Sequence, residues 1–211
     1  TRHNILGILT GDGFQAAFQD TPGMPHKSVH QLGRLLLSRA LGAIRDADLV
    51  VMMVEPKRPA DIEHRLIQEL KKDNKQCILV VNKIDLLDKR FLLPIIDDYS
   101  HLHPFLEIVP ISALSPPDVD MLLGVVIQHL PEGEPMFGPD EITDRPERFL
   151  TGELIREQVF NAYGEEVPYA VAVEIADFEE SSPDHGGKDY VNAVLYVERD
   201  SQKAILIGRG G

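Results

Sequence analysis

The sequence predicts an α/β domain built on a mostly parallel sheet with helices on both faces, followed by a smaller α+β domain. Three observations carry this. Short apolar runs at Leu49–Val54, Cys77–Val81 and Glu107–Ile111 alternate with segments of helical spacing, as parallel crossovers require. Chain breakers then cluster in Pro131-Glu132-Gly133-Glu134-Pro135 and Gly138-Pro139. Beyond them the order changes to one helix followed by strands. This pattern predicts domains over residues 1–134 and 148–211, joined by a linker over 135–147.

Each element has its own warrant. Ile5–Leu9 and Phe14–Phe18 flank Gly11-Asp12-Gly13 and predict a hairpin. Val29 to Arg45 places Leu32, Leu35, Leu36, Ala40, Leu41 and Ile44 at helical spacing, an apolar stripe read as core. Leu49–Val54 and Cys77–Val81 are continuous apolar runs, as in strands buried on both faces. Asp61–Lys72 and Phe91–Leu102 read as the helices after them. Glu107–Ile111 is a third strand, and Val119–Leu130 a helix stopped by Pro131. In the second domain Arg148–Ala162 reads as a helix, and Tyr169–Ile175 and Val191–Glu198 as strands joined by the polar loop Ser181–Gly187. Ala204–Ile207 reads as a last short strand.

Composition narrows the function classes. With 43% hydrophobic and 26% charged residues, the 211-residue chain is neither a disordered tail nor a disulfide miniprotein. No run approaches 18 uncharged apolar residues. Cys77, the single cysteine, has no internal partner for a disulfide. The balance of 21 basic against 34 acidic residues gives a net charge of −13. Such a surface repels phosphate backbones, so a nucleic-acid role has to rest on a local site. His101 and His103 lack the further ligands of a metal site and read as surface residues. The opening Thr1-Arg2-His3-Asn4 carries no initiator methionine and no leader, and the sequence stops on Gly208-Arg209-Gly210-Gly211. It is expected to be an internal stretch of a longer protein.

Three segments fall at the ends of successive strands. In Asp20-Thr21-Pro22-Gly23 a carboxylate can hold Mg²⁺ through water, and the Gly23 N–H can approach a terminal phosphate; the same residues also make an ordinary turn. Asn82-Lys83-Ile84-Asp85 follows Cys77–Val81 at the carboxyl end of a strand, where ligands of open α/β sheets bind. An Asp carboxylate there can accept both hydrogens from the N1 and N2 edge of guanine, which adenine lacks. A solvated strand-end loop is the plainer reading of that segment taken alone. Ser112-Ala113 closes the next strand, and a free backbone N–H there can reach a base carbonyl.

Together these segments resemble the third, fourth and fifth signature motifs of translation-factor-class GTPases. Thr1-Arg2-His3, leading into Ile5-Leu6-Gly7-Ile8, resembles the second motif of the Era family. The likeness continues through Ile142-Thr143-Asp144-Arg145-Pro146-Glu147-Arg148-Phe149, Val167-Pro168-Tyr169, Tyr196-Val197-Glu198-Arg199 and Gln202 to Gly208. It covers essentially the whole chain, so the sequence is identified as similar to Era-type GTPases: a P-loop-type GTPase domain followed by a type II KH domain. The resemblance implies GTP/GDP and Mg²⁺ as cofactors and Mg²⁺-dependent GTP hydrolysis that switches a grip on small-subunit ribosomal RNA. It also implies a bacterial cytoplasmic location with peripheral association at the inner membrane, an organellar homologue being the alternative. Thr1 would coordinate Mg²⁺ and close over the terminal phosphate, Asp20 would hold Mg²⁺, and Gly23 would donate to that phosphate. Thr21 and Pro22 complete the turn. Asn82 and Asp85 would select guanine, Lys83 would pack its stem over the base, and Ser112 and Ala113 would meet the base carbonyl. Gly208, Arg209, Gly210 and Gly211 have the GxxG form of a KH clamp on RNA, although a glycine turn is the default for that pattern alone.

The sequence also departs from the family. No GxxxxGK[ST] phosphate loop occurs, and the strand that would lead into it belongs between Phe14–Phe18 and Leu49–Val54. Met24 stands where Ras-like enzymes carry a water-orienting glutamine, which predicts slow unstimulated hydrolysis. From Asp140 to Gly211 there are 7 basic and 16 acidic residues, a poor charge balance for RNA. Two rival readings stay open: a nucleotide-blind RNA-binding scaffold, and a related GTPase acting on another ribosomal or transfer RNA.

Overall fold

The computed structural model describes residues 5–21, 40–163, 171–180 and 188–208. They fall into two compact units, one ending at Asp144 and the other beginning at Arg145.

The first unit opens with an antiparallel hairpin of β1 (Leu6–Gly11) and β2 (Phe14–Gln19), in register from Leu6 opposite Gln19 to Gly11 opposite Phe14. The two-residue connection needs positive φ, which Gly13 supplies at 78°. Of the predicted Val29–Arg45 helix only the end lies among the described residues, and residues 40–46 are helical (α1). Then β3 (Val50–Val54), α2 (Asp61–Lys72), β4 (Cys77–Val81), α3 (Leu92–Ser100), β5 (Glu107–Pro110) and α4 (Pro116–Gln128) alternate. Strands β3, β4 and β5 form one parallel sheet with β4 in the middle.

Every residue of β4 is 0% exposed, which explains its unbroken apolar run. Alternation along that strand splits the core in two. Cys77, Leu79 and Val81 pack with Ile44 of α1, Ile67 and Leu70 of α2, and Ile95 and Tyr99 of α3. Ile78 and Val80 face Val126 of α4, with Val109 and Ile111. Full burial of each such side chain contributes about 1.5–3 kcal/mol, so this strand anchors the loops at its end. Helix α4 starts at Pro116, three residues before the predicted start. Pro116 and Pro117 lack only N–H groups that a helix's first turn leaves unpaired anyway.

Strands β2 and β3 are not paired with each other. Between them lies a groove of about 1630 Å³ lined by Phe14, Ala16 and Phe18 on one side and by Val50, Met52 and Val54 on the other. It occupies the place where the sequence pattern expects one more strand. On the other side of the hairpin, Ile8 N–H donates to Ile142 O at 2.8 Å, and Gly7 forms an isolated bridge with Thr143.

The second unit contains α5 (Glu147–Ala162), the antiparallel pair β6 (Val171–Glu179) and β7 (Tyr190–Val197), and α6 (Asp200–Ile207). Val159 and Val171 form its core with Tyr163, Val173, Val197 and Leu206. Strand β6 runs past Ile175 through an irregularity at Ile175/Asp177. There the Arg148 guanidinium donates to the carbonyls of Ile175 and Ala176, which keeps the disturbed backbone satisfied.

The predicted strand Ala204–Ile207 is wrong: these residues end helix α6. Four apolar residues in a row do not separate the two periods. The helix is set from upstream, where Arg199 N–H donates to Gln202 Oε1 at 3.0 Å, half of a capping box. Gly208 therefore follows a helix.

Candidate functional site

The carboxyl ends of β3, β4 and β5 carry the polar residues. Asn82 follows β4, and its backbone N–H continues the ladder to Val54 O at 2.9 Å. Its side-chain Oδ1 accepts two backbone N–H groups, from Lys83 at 2.7 Å and from Ala113 at 3.0 Å. One side chain thus laces the loop after β4 to the loop after β5. Ile84 N–H adds a second tie, to Ile111 O at 3.3 Å. The Asn82 amide nitrogen donates to Met53 Sδ at 3.6 Å.

Lys83 adopts a left-handed backbone, φ 64° and ψ 35°. That conformation costs an L-residue about 1–2 kcal/mol, and it persists because its neighbours fix it. Lys83 caps the short 3₁₀ turn Ile84–Leu86, and Leu86 N–H returns to Lys83 O at 3.1 Å. Its ammonium lies 2.7 Å from Glu55 Oε1 at the end of β3. Glu55 also pairs with Lys57. Hydrogen bonds from Lys57 first, and Lys83 second, hold the Glu55 carboxyl at about 2, and Glu55 in turn raises the Lys83 ammonium. Asp85, inside the 3₁₀ turn, is exposed and accepts no hydrogen bond from another described residue. Its carboxylate is available to a ligand.

Ser112 is buried, and its N–H donates to Asp118 Oδ2 at 2.8 Å. The Ala113 N–H is committed to Asn82 and is not free for a base carbonyl, as the sequence pattern suggested. Asp20 and Thr21 follow β2, both exposed, with Asp20 N–H on Ile5 O at 2.9 Å. They line the same groove as Glu55 and Lys57. Pro22 and Gly23 lie outside the described residues, as do Thr1, Arg209, Gly210 and Gly211. Gly208 closes α6 at φ 75°, a conformation that favours glycine.

Sequence reasoning missed Glu55 and Asp118. Both had a weak signal: Glu55 is the first polar residue after a buried strand, and Asp118 sits in the first turn of a helix. Asp118 meets Ser115 and Ser112 within six residues, whereas Glu55 joins its neighbour Lys57 to Lys83, 28 residues away.

A parallel sheet with an Asn-Lys-x-Asp loop and a Ser-Ala loop laced across adjacent strand ends defines a GTPase-type nucleotide-binding domain. Residues 1–83 match the model of the 50S ribosome-binding GTPase family, and residues 166–211 match that of the KH domain. The chain is 42% identical over 212 residues to GTPase Era of Geotalea daltonii and 41% identical to that of Xylella fastidiosa, spanning all of this chain and 70% of each relative. The chain belongs to the Era family of GTPases. Among solved structures, Era in complex with MgGDPNP and nucleotides 1506–1542 of 16S ribosomal RNA aligns at TM-score 0.86 and 34% identity, over 99% of this chain and 71% of that one. A single-substitution variant of Aquifex aeolicus Era bound to GDP and AlF₄⁻ aligns at TM-score 0.86 and 34% identity, over all of this chain and 72% of that one.

Proposed function

We propose that this chain is the switch, base-reading and RNA-docking part of a ribosome-assembly GTPase that hydrolyses GTP with Mg²⁺ and holds small-subunit, 16S-type ribosomal RNA through its KH domain. The observation that carries the nucleotide reading is the double acceptance at Asn82 Oδ1. It fixes the β4 and β5 loops against each other, which is what a rigid base pocket needs. Within that frame Asp85 accepts the N1 and N2 hydrogens of guanine, and Lys83 lays its stem along the base. A nucleotide without the 2-amino group leaves part of the carboxylate unpaired, which is the source of discrimination.

Mg²⁺ fits the donor set in one mode. Among the described residues no group of three His, Cys, Asp or Glu could hold a metal alone. Mg²⁺ characteristically binds through one or two carboxylates with phosphates and waters completing its shell, and Asp20 is an exposed hard-oxygen donor on the groove wall. Asp20 and Thr1 would hold it, and when bound it supplies charge neutralisation at the phosphates. Thr21, Pro22 and Gly23 would present backbone to the terminal phosphate, and Ser112 and Ala113 would border the base. In the second unit Gly208, Arg209, Gly210 and Gly211 would bring backbone N–H groups to an RNA phosphate. The family resemblance supports a bacterial cytoplasmic home with peripheral membrane contact.

The test is base choice. Asp85→Asn in the full-length protein should move preference from GTP toward xanthosine triphosphate, whose 2-oxo group needs a donor. Unchanged GTP affinity in a fluorescent-nucleotide titration would remove Asp85 from the site.

A further inference from the structure

We propose that Asp118 is a specificity-determining positioning residue: from the first turn of α4 its carboxylate holds the Ser112–Ala113 loop in the shape the guanine pocket requires. The inference rests on the nucleotide reading above and adds a residue that touches no nucleotide itself.

Asp118 is the third residue of α4, after Pro116 and Pro117. Its Oδ2 accepts the Ser112 N–H at 2.8 Å, and its Oδ1 accepts the Ser115 hydroxyl at 3.1 Å. Ser115 N–H returns to Ser112 O at 2.8 Å, so the turn from 112 to 115 is closed on itself and pinned to the helix. Ser112 is only 8% exposed, so water is a poor substitute for the carboxylate. The next residue, Ala113, gives its N–H to Asn82 Oδ1, which also takes the Lys83 N–H. A continuous path of hydrogen bonds therefore runs from α4 through Ser112 and Ala113 to Asn82 and Lys83.

Each link restricts the next. While Ala113 is held, both accepting positions of Asn82 Oδ1 are used, and Nδ2 is kept on Met53 Sδ. If the Ser112–Ser115 turn relaxes, Ala113 shifts, Asn82 loses one of its two donors and its amide can rotate. Base reading then suffers while the apolar sheet beneath, built on β4, stays intact. The length of the side chain matters as well. A glutamate is one methylene longer, so its carboxylate cannot meet the Ser112 N–H and the Ser115 hydroxyl from the same backbone position. Asparagine keeps an acceptor for Ser112 and a donor for Ser115 Oγ.

The experiment uses the full-length protein and competition titrations with GDP, IDP and ADP, beside melting temperatures. Asp118→Asn should stay within about threefold of wild type in GDP affinity, since the acceptor persists. Asp118→Ala and Asp118→Glu should each lose about tenfold in GDP affinity, with the GDP-to-ADP and GDP-to-IDP ratios shrinking, because the Ser112 N–H loses a charged partner. Asp118→Glu keeps a favourable first-turn residue, so it reports even where Asp118→Ala does not fold. Amide exchange at Ala113 should accelerate in Asp118→Glu and not in Asp118→Asn. Wild-type affinity and ratios in folded Asp118→Glu would overturn the proposal, and so would an Asp118→Asn variant as impaired as Asp118→Glu. The Asp85→Asn protein separates the two levels. If it fails to shift toward xanthosine nucleotides, the base reading itself falls. If it shifts while the Asp118 variants discriminate normally, only the role of Asp118 falls.

Discussion

Lys83 Nζ and Glu55 Oε1 lie 2.7 Å apart, joining the end of β4 to the end of β3 at the carboxyl edge of the sheet. Lys57 approaches the other oxygen of the same carboxylate, so two ammonium groups converge on one acid.

This convergence gives a pH prediction. Glu55 is held at about 2, by Lys57 and then Lys83. A carboxyl depressed in the folded state contributes stability above its unfolded value, and that contribution is lost as pH falls from near 4.5 toward 2. An NMR titration of the Glu55 carboxyl should find it still ionised at about pH 3.5, with Lys57→Ala moving its midpoint up toward about 4.3. Exposed pairs hold folds together weakly, so Glu55→Gln should leave the melting temperature nearly unchanged. A Glu55 midpoint at the ordinary value would show that the two lysines do not hold it in solution.

His103 adds a second loss of stability toward acid, by burial and not by pairing. It is 8% exposed, packs edge-on against Phe105 at 4.9 Å, and its Nδ1 has no hydrogen-bond partner among the described residues. Burial first, and Lys71 second, lower it below the ordinary 6.5. The unfolded chain then binds a proton that the folded one refuses, so stability falls as pH drops through 6.5. Urea unfolding at about pH 7.5 and about pH 5.5 should show this loss, and His103→Gln should reduce it. An unchanged pH slope in that variant would free His103 of the role. This is also a case where residue type misled: without metal ligands both histidines read as surface, yet His103 is buried and packs against Phe105.

The legibility of the rest follows the same logic. Strands β3, β4 and β5 stood out because double burial leaves a continuous apolar run, and the loops after them inherit their position from the strands. The end of the chain did not stand out. Ala204–Ile207 fits either period, and the choice is made by a side-chain bond from Gln202 to the Arg199 backbone. The base loops could be named from sequence, but their lacing could not. Asn82 finds Ala113 at a separation of 31 residues and Lys83 finds Glu55 at 28. No local pattern encodes such partners.

A last prediction concerns Gln15, on β2. Its Oε1 accepts the N–H groups of Met136 at 2.8 Å and Phe137 at 2.9 Å, and its Nε2 donates to Phe137 O at 3.0 Å. One side chain thus satisfies three backbone groups in the breaker-rich segment after α4, across 121 and 122 residues of sequence. Further along, Ile8 N–H on Ile142 O ties the same segment to β1, so it is fastened to the hairpin at two places. Gln15→Leu keeps the bulk but leaves two N–H groups and a carbonyl without that partner; with Met136 exposed and Phe137 half-buried, the cost is about 1 kcal/mol. Hydrogen exchange at Met136 and Phe137 should accelerate, while amides of β4 keep their protection. Gln15→Glu keeps the acceptor and loses only the donor, so it should fall between. If Met136 and Phe137 exchange as fast in wild type as in Gln15→Leu, the segment is not held by Gln15 in solution. The Ile8–Ile142 and Gly7–Thr143 contacts would then still join the segment to the hairpin, and Gln15→Leu would leave stability unchanged.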